Sequence, residues 1–163
     1  MRTHLLVVAN QTADAPELLA ELERRARRGP LAVTLVVPTA WADRVAARRR
    51  ADTAAAALRD AGLDVDAVLG DADPVLAVQE RWDPRRFDEV LVATLPTGSS
   101  KWLLCDLPRR VERLTGATVT HLEATPAAPA PRALPPPARH REPLLLGVLG
   151  QMRAATRRPA AHR

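Results

Sequence analysis

Aromatic side chains are nearly missing from this chain: Trp41, Trp82, Trp102 and Phe87 are all it has in 163 residues, and there is no tyrosine. Rings this sparse cannot build the stacking platforms on which single-stranded nucleic acid is held. Cysteine is scarcer still. The lone Cys105 excludes an internal disulfide framework and any CxxC metal or redox pair, and a buried, inert thiol is expected there. Long apolar runs are also lacking. No stretch approaches the roughly 20 residues that a bilayer-spanning helix needs. The amino-terminal run Leu5-Leu6-Val7-Val8-Ala9 is too short for a signal-peptide core and has no small-residue cleavage site after it. A cytoplasmic protein is the expectation.

The net charge of +5 does not belong to the whole chain. Residues 1–123 hold 17 Arg and Lys against 18 Asp and Glu, whereas residues 124–163 hold seven Arg and the single acid Glu142. The amino-terminal part is therefore near neutral and has no electrostatic footprint for nucleic acid. Three regions follow: an α/β domain over 1–123, a proline-rich disordered linker over 124–143, and a short apolar then basic segment over 144–163. Residues 126–143 contain seven prolines and can form neither helix nor central strand. Leu144 to Leu149 reads as a short helix that docks on the domain or on a second subunit. A basic patch for an anionic membrane surface, through the tail only, is the alternative.

What is present is a regular alternation. Leu5–Ala9 and Leu31–Val37 are continuous apolar runs, as in parallel strands buried on both faces. Between them lies a helix with Asp14 as N-cap, Glu17 at N3 and the stripe Leu18, Leu19, Leu22 and Ala26. Arg24, Arg25, Arg27 and Arg28 crowd its last turn and read as a solvated helix end. A second helix, from about 43 to 61, is closed by Gly62 in a left-handed conformation. Its Arg48-Arg49-Arg50 triplet fans around the axis, since consecutive residues diverge by about 100°.

Leu63–Leu69 alternates in polarity, as a half-exposed edge strand does. Gly70-Asp71-Ala72-Asp73-Pro74 then turns into a third helix, with Asp73 as N-cap and Pro74 at N1. Asp71 and Asp73, with no His or third acid nearby, read as turn and cap residues rather than metal ligands. Asp88 to Thr94 is the fourth strand. The loop from Leu95 to Lys101 follows it, then a last helix beginning at Asp106-Leu107-Pro108, and a fifth strand, Ala117 to Leu122. A helical connection between every pair of strands predicts a three-layer α/β/α Rossmann-like sandwich on one five-stranded parallel sheet. Ligands of such sheets sit beyond the carboxyl ends of the strands, so the loop after Thr94 is the first place to look for function.

Over roughly residues 3–122 the pattern resembles the universal stress protein family, related in fold to adenine-nucleotide α-hydrolases. The resemblance rests on the Ala-rich helix ending Ala61-Gly62-Leu63-Asp64-Val65 and on the Gly70-Asp71-x-Asp73-Pro74 turn. It rests also on the strand Asp88-Glu89-Val90-Leu91-Val92 and the closing Arg109-Arg110-Val111-Glu112-Arg113-Leu114-x-Gly116-Ala117-Thr118-Val119-Thr120. It implies strand order 3-2-1-4-5, pairing of two chains through the last strand, Val119 to Leu122, and ATP as the cofactor to consider. ATP-binding members place an Asp at the end of the first strand, where Asn10 stands here, and carry a G-x-x-G, nine residues, G-[ST] signature. Its fixed positions fall on Thr94, Thr97, Leu107 and Pro108, and the glycines are gone.

A phosphate needs backbone N–H groups at a glycine-rich loop or a helix N-terminus. Pro108 supplies none, and Asp106 as N-cap is expected to occupy the rest. The leading expectation is therefore a non-catalytic stress-response module that has lost ATP binding, has no cofactor and works through a homodimer and an unknown protein partner. The alternative is an adenine-nucleotide site of unusual form, built from Asn10, Thr94, Gly98, Ser99, Ser100 and Lys101. A tail-tethered adaptor is a third reading. Catalysis has no support, because His4 and His121 lie at opposite ends of the sheet while His140 and His162 lie in the tail.

Overall fold

Where each helix starts and stops is set by its capping residues, and this decides the architecture. The computed structural model describes residues 1–96, 102 and 105–127. Strand β1 (Thr3–Val8) leads through a turn to helix α1 (Pro16–Ala26). The N-cap of α1 is Ala15, not Asp14, and no side chain caps the helix. Pro16 is the reason: proline is favoured at the first helical position and holds the residue before it extended, here with φ −68° and ψ 137°. Leu18 and Leu22 are buried, while Leu19 and Ala26 pack at the margin of the core.

Strand β2 (Leu31–Pro38) is followed by a single 3₁₀ turn (Trp41–Asp43) and helix α2 (Arg44–Asp60). The end of α2 is a Schellman motif: Gly62 N–H donates to Arg59 O at 2.8 Å and Leu63 N–H to Leu58 O at 3.1 Å. Gly62 takes the left-handed φ of +83° that this motif requires, as expected from the sequence. Strand β3 (Asp64–Gly70) shows the anticipated alternation, with Val65 and Ala67 buried and Asp64 and Asp66 exposed. Helix α3 (Pro74–Arg81) has Asp73 as a working cap, its carboxylate accepting from Val75 N–H at 2.8 Å. Strand β4 (Glu89–Thr94), helix α4 (Leu107–Thr115) and strand β5 (Thr118–Glu123) follow in the order expected.

All five strands are parallel, in the order β3-β2-β1-β4-β5. On one face Leu5, Val7, Leu35 and Leu91 pack with Leu18 and Leu22 of α1 and with Ala47, Ala51, Ala54 and Leu58 of α2. The other face sets Leu6, Val8, Val90 and Val92 against Ala77 and Val78 of α3 and Leu107 and Val111 of α4. The alanines of α2 let that helix lie close to the sheet, and β1, central and fully buried from Leu5 to Val8, contributes to both cores. Among the described residues no helix is long and apolar enough to cross a membrane.

Contact with the sheet continues past the fifth strand. Ala124 is buried and its N–H donates to Thr94 O at 2.8 Å. The linker from 128 onward and the segment 144–163 lie outside the described residues.

Candidate functional site

The carboxyl ends of β1, β2 and β4 converge where a doubly wound sheet presents ligands, because the strand order reverses direction on either side of β1. Asn10 leaves β1 at this point. Its amide is engaged by the protein at both ends: Nδ2 donates to Pro38 O at 3.0 Å, and Oδ1 accepts from Arg50 Nη1. Pro38 ends β2 and Arg50 comes from the second turn of α2, so Asn10 ties three elements together.

Asn10, Pro38, Thr39, Asp43, Arg50 and Ala72 line a cleft of about 270 Å³. That is at or below the small end of the range of ligand sites, about 300–1,000 Å³. The cleft is polar, with a carboxylate, a guanidinium and an amide within it. Arg50 was not singled out by its place in the Arg48–Arg50 triplet. Its spacing from Ala47 and Ala54 on the buried stripe of α2 is the sequence signal that it faces inward.

Thr94, at the end of β4, is also turned inward. It is buried, and its hydroxyl donates to Leu95 O at 2.9 Å and lies 2.9 Å from His121 Nε2 on the neighbouring strand β5. A second buried hydroxyl, Thr12, donates to Ala93 O at 2.9 Å and fastens the loop after β1 to the end of β4. The sequence reading did not pick out Thr12. Gly98, Ser99, Ser100 and Lys101, the other residues expected at a nucleotide site, lie outside the described residues.

The start of α4 corrects one expectation. Asp106 precedes the helix as anticipated but makes no side-chain cap bond. Its backbone is left-handed, φ +50° and ψ +44°, whereas a capping carboxylate needs an extended backbone to reach the N–H groups of the first turn. The exposed carboxylate lies instead 3.9 Å from Arg109. Pro108 does occupy the first turn, so one backbone donor is missing there.

Cys105, expected in the core, is exposed, since the turn before α4 carries it outside both apolar layers. The arginine cluster of α1 also differs from a solvated helix end. Arg24 and Arg25 both bond Glu21, and Arg25 continues to Glu89 on β4 and, at 2.8 Å, to Thr120 Oγ1 on β5. The hydrogen bond from Arg24 foremost, with Arg25 adding to it against the opposing effect of burial, holds the Glu21 carboxyl below its ordinary range. Asp71 and Asp73 serve the turn: Asp71 accepts from Asp73 N–H and Asp73 from Val75 N–H, each at 2.8 Å.

No family model and no curated protein matches this chain. Solved structures do. The universal stress protein from Archaeoglobus fulgidus aligns with a TM-score of 0.52 at 17% identity, covering 76% of this chain and 95% of its own. The structure of the universal stress protein from the same organism in complex with dAMP aligns with the same score and identity, covering 76% of this chain and 98% of its own. With its five parallel strands in the order 3-2-1-4-5, this chain has the fold of the universal stress proteins.

Proposed function

We propose that this chain is a non-catalytic regulatory module of the stress-response type in which adenine-nucleotide binding has been lost and contacts with other chains carry the function. The observation that supports this most is the state of Asn10. A base edge would need the Asn10 amide, and both ends of that amide already bond within the protein, to Pro38 O and to Arg50. Displacing Arg50 would leave its guanidinium without that partner in a partly buried site, which costs on the order of 1–3 kcal/mol for an unsatisfied group. The phosphate side is poor as well, with Pro108 in the first turn of α4, a carboxylate at its start, and no glycine signature.

Chain-to-chain contact is supported by β5. Among the described residues it is an edge strand that pairs only with β4, and its side chains from Val119 to Leu122 are exposed or half-buried. Such an edge takes another strand readily, and a second copy of the same chain is the partner we assign to it.

A second reading has a specific observation in its favour. The structural neighbour from Archaeoglobus fulgidus holds dAMP, and the Asn10 cleft lies at the switch point of the sheet. Titration of the full chain with fluorescently labelled ATP and with dAMP separates the two. We expect no saturable binding below the millimolar range. Micromolar binding that is lost in Asn10→Ala would overturn the leading reading and establish the second. Sedimentation of wild type and of Val119→Pro tests the dimer separately: a wild-type monomer at micromolar concentration refutes it.

A further inference from the structure

The opposite edge of the sheet carries a surface that the proposed function does not use. Among the described residues β3 pairs only with β2, so one side of its main chain faces away from the sheet. Hydrogen bonds show which residues face which way. Gly70 O accepts from Thr39 N–H on the β2 side at 3.3 Å, whereas Val65 O accepts from Arg59 Nε of α2 at 2.9 Å. The N–H and C=O of one strand residue point to the same side, and successive residues alternate. Val65, Ala67 and Leu69 therefore direct their amides outward. Arg59 covers Val65, but among the described residues no hydrogen bond covers Ala67 or Leu69 on that side.

Beside this open half of the edge is a cleft of about 710 Å³ rimmed by Arg44, Arg48 and Arg49 from α2 and Arg81 from α3, and no carboxylate lines it. Arg48 also pairs with Asp52 at 3.1 Å, while Arg44, Arg49 and Arg81 have no ion-pair partner among the described residues. Two of the most exposed apolar side chains of the described residues stand in the same wall: Trp41 is 85% and Val45 71% exposed. The Arg44 guanidinium lies over the Trp41 ring, 5.6 Å from its centre. An aromatic anchor, arginines and a free strand edge together are what a charged, extended peptide needs.

We propose that this edge binds an acidic, extended peptide segment of a partner protein, which adds as a strand to β3 at Ala67 and Leu69. An apolar side chain of the peptide covers Trp41 and Val45, and flanking carboxylates bond Arg44, Arg49 and Arg81. The chain's own tail is the wrong occupant, because residues 124–163 carry seven arginines against one acid. A small free anion would use the arginines but leave the strand amides and Val45 uncovered. Asp71 and Glu80 line the adjoining cleft at the carboxyl end of β3, so the peptide's apolar residues, not its carboxylates, run over that end. The surface lies at the opposite edge of the sheet from β5 and shares no lining residue with the Asn10 cleft, so its test is independent of the dimer and of nucleotide.

The test is selection from a random displayed-peptide library on the full chain, followed by affinity measurement of the enriched peptides as labelled synthetic probes. Enriched sequences should be acidic with an apolar centre and should bind in the micromolar range. Binding should shift the Ala67 and Leu69 amide and Trp41 indole resonances. Affinity should fall about tenfold or more in Arg44→Glu with Arg81→Glu, and also in Trp41→Ala, which leaves the charges in place; unchanged far-ultraviolet circular dichroism confirms that both variants fold. The proposal is overturned if no acidic peptide is enriched, if the shifts map elsewhere, or if charge reversal leaves affinity unchanged. It is equally overturned if a DNA duplex or phosphatidylserine vesicles bind this face more tightly than any peptide does.

Discussion

Replacing Gly70 with alanine is expected to strain the junction of β2, β3 and α3. A Cβ at this position would lie 2.6 Å from Ala77 Cβ, 2.9 Å from Val36 Cγ1 and 3.3 Å from Ala77 Cα. Carbon atoms rest at about 3.5–4.0 Å, so α3 must withdraw by about 1 Å or the strand must bend. Neither obstacle is the free end of a flexible side chain: Ala77 is fixed in α3 and fully buried. Overpacking of this kind costs about 1–3 kcal/mol, which urea unfolding of the full chain followed by far-ultraviolet circular dichroism resolves. Ala77→Gly removes the nearest obstacle but carries its own cost of about 1 kcal/mol as a helical glycine. The double variant should therefore be less destabilised than the sum of the singles by about 1 kcal/mol. If Gly70→Ala alone is neutral, or the two effects add to within about 0.5 kcal/mol, the close approach of α3 to β3 is wrong.

Asp73→Ala removes the side chain that accepts from Val75 N–H and should cost about 1 kcal/mol in the same assay; Asp14→Ala, at a position that caps nothing, should change stability by less than half of that. Glu21 gives a pH dependence. Its folded pKa is lowered, so the carboxylate's contribution to stability is full above the unfolded-state value of about 4.3 and is lost as pH falls through the lower folded value. The stability gap between wild type and Glu21→Gln should thus be widest at neutral pH and close below about pH 4; a gap independent of pH contradicts this. Cys105 is exposed, so a thiol reagent such as dithionitrobenzoate should label the native protein at once, and labelling that waits for denaturant would place the thiol back in the core.

Most of the topology was legible because the alternation of short apolar runs with helical stretches leaves one economical arrangement, a parallel sheet with helices on both faces. Gly62 and the Asp73-Pro74 cap were legible because each needs a residue type that few alternatives supply. Asp14 misled through its favourable type. Pro16 fixed Ala15 as the extended residue, and chain geometry outweighed capping preference. Asp106 misled similarly, since a backbone of φ +50° cannot be read from an Asp that would equally serve as a cap.

The site was less legible than the fold for a different reason. Asn10 could be placed at the end of β1 from the apolar run before it, but its occupation by Arg50 joins residues 40 positions apart. No local rule reports such a pair. Thr94 was placed correctly at the strand end, yet its hydroxyl turns inward to His121, a partner set by the β4–β5 register that pairs Val92 with His121.

The central claim is that Arg50 and Pro38 hold Asn10 in place of an adenine base. Its most direct test is the adenine-nucleotide content of the freshly purified full chain, released by acid extraction and quantified by chromatography. The account predicts no nucleotide in the wild-type extract. Adenine nucleotide near one equivalent per chain, disappearing in Asn10→Ala, would contradict it.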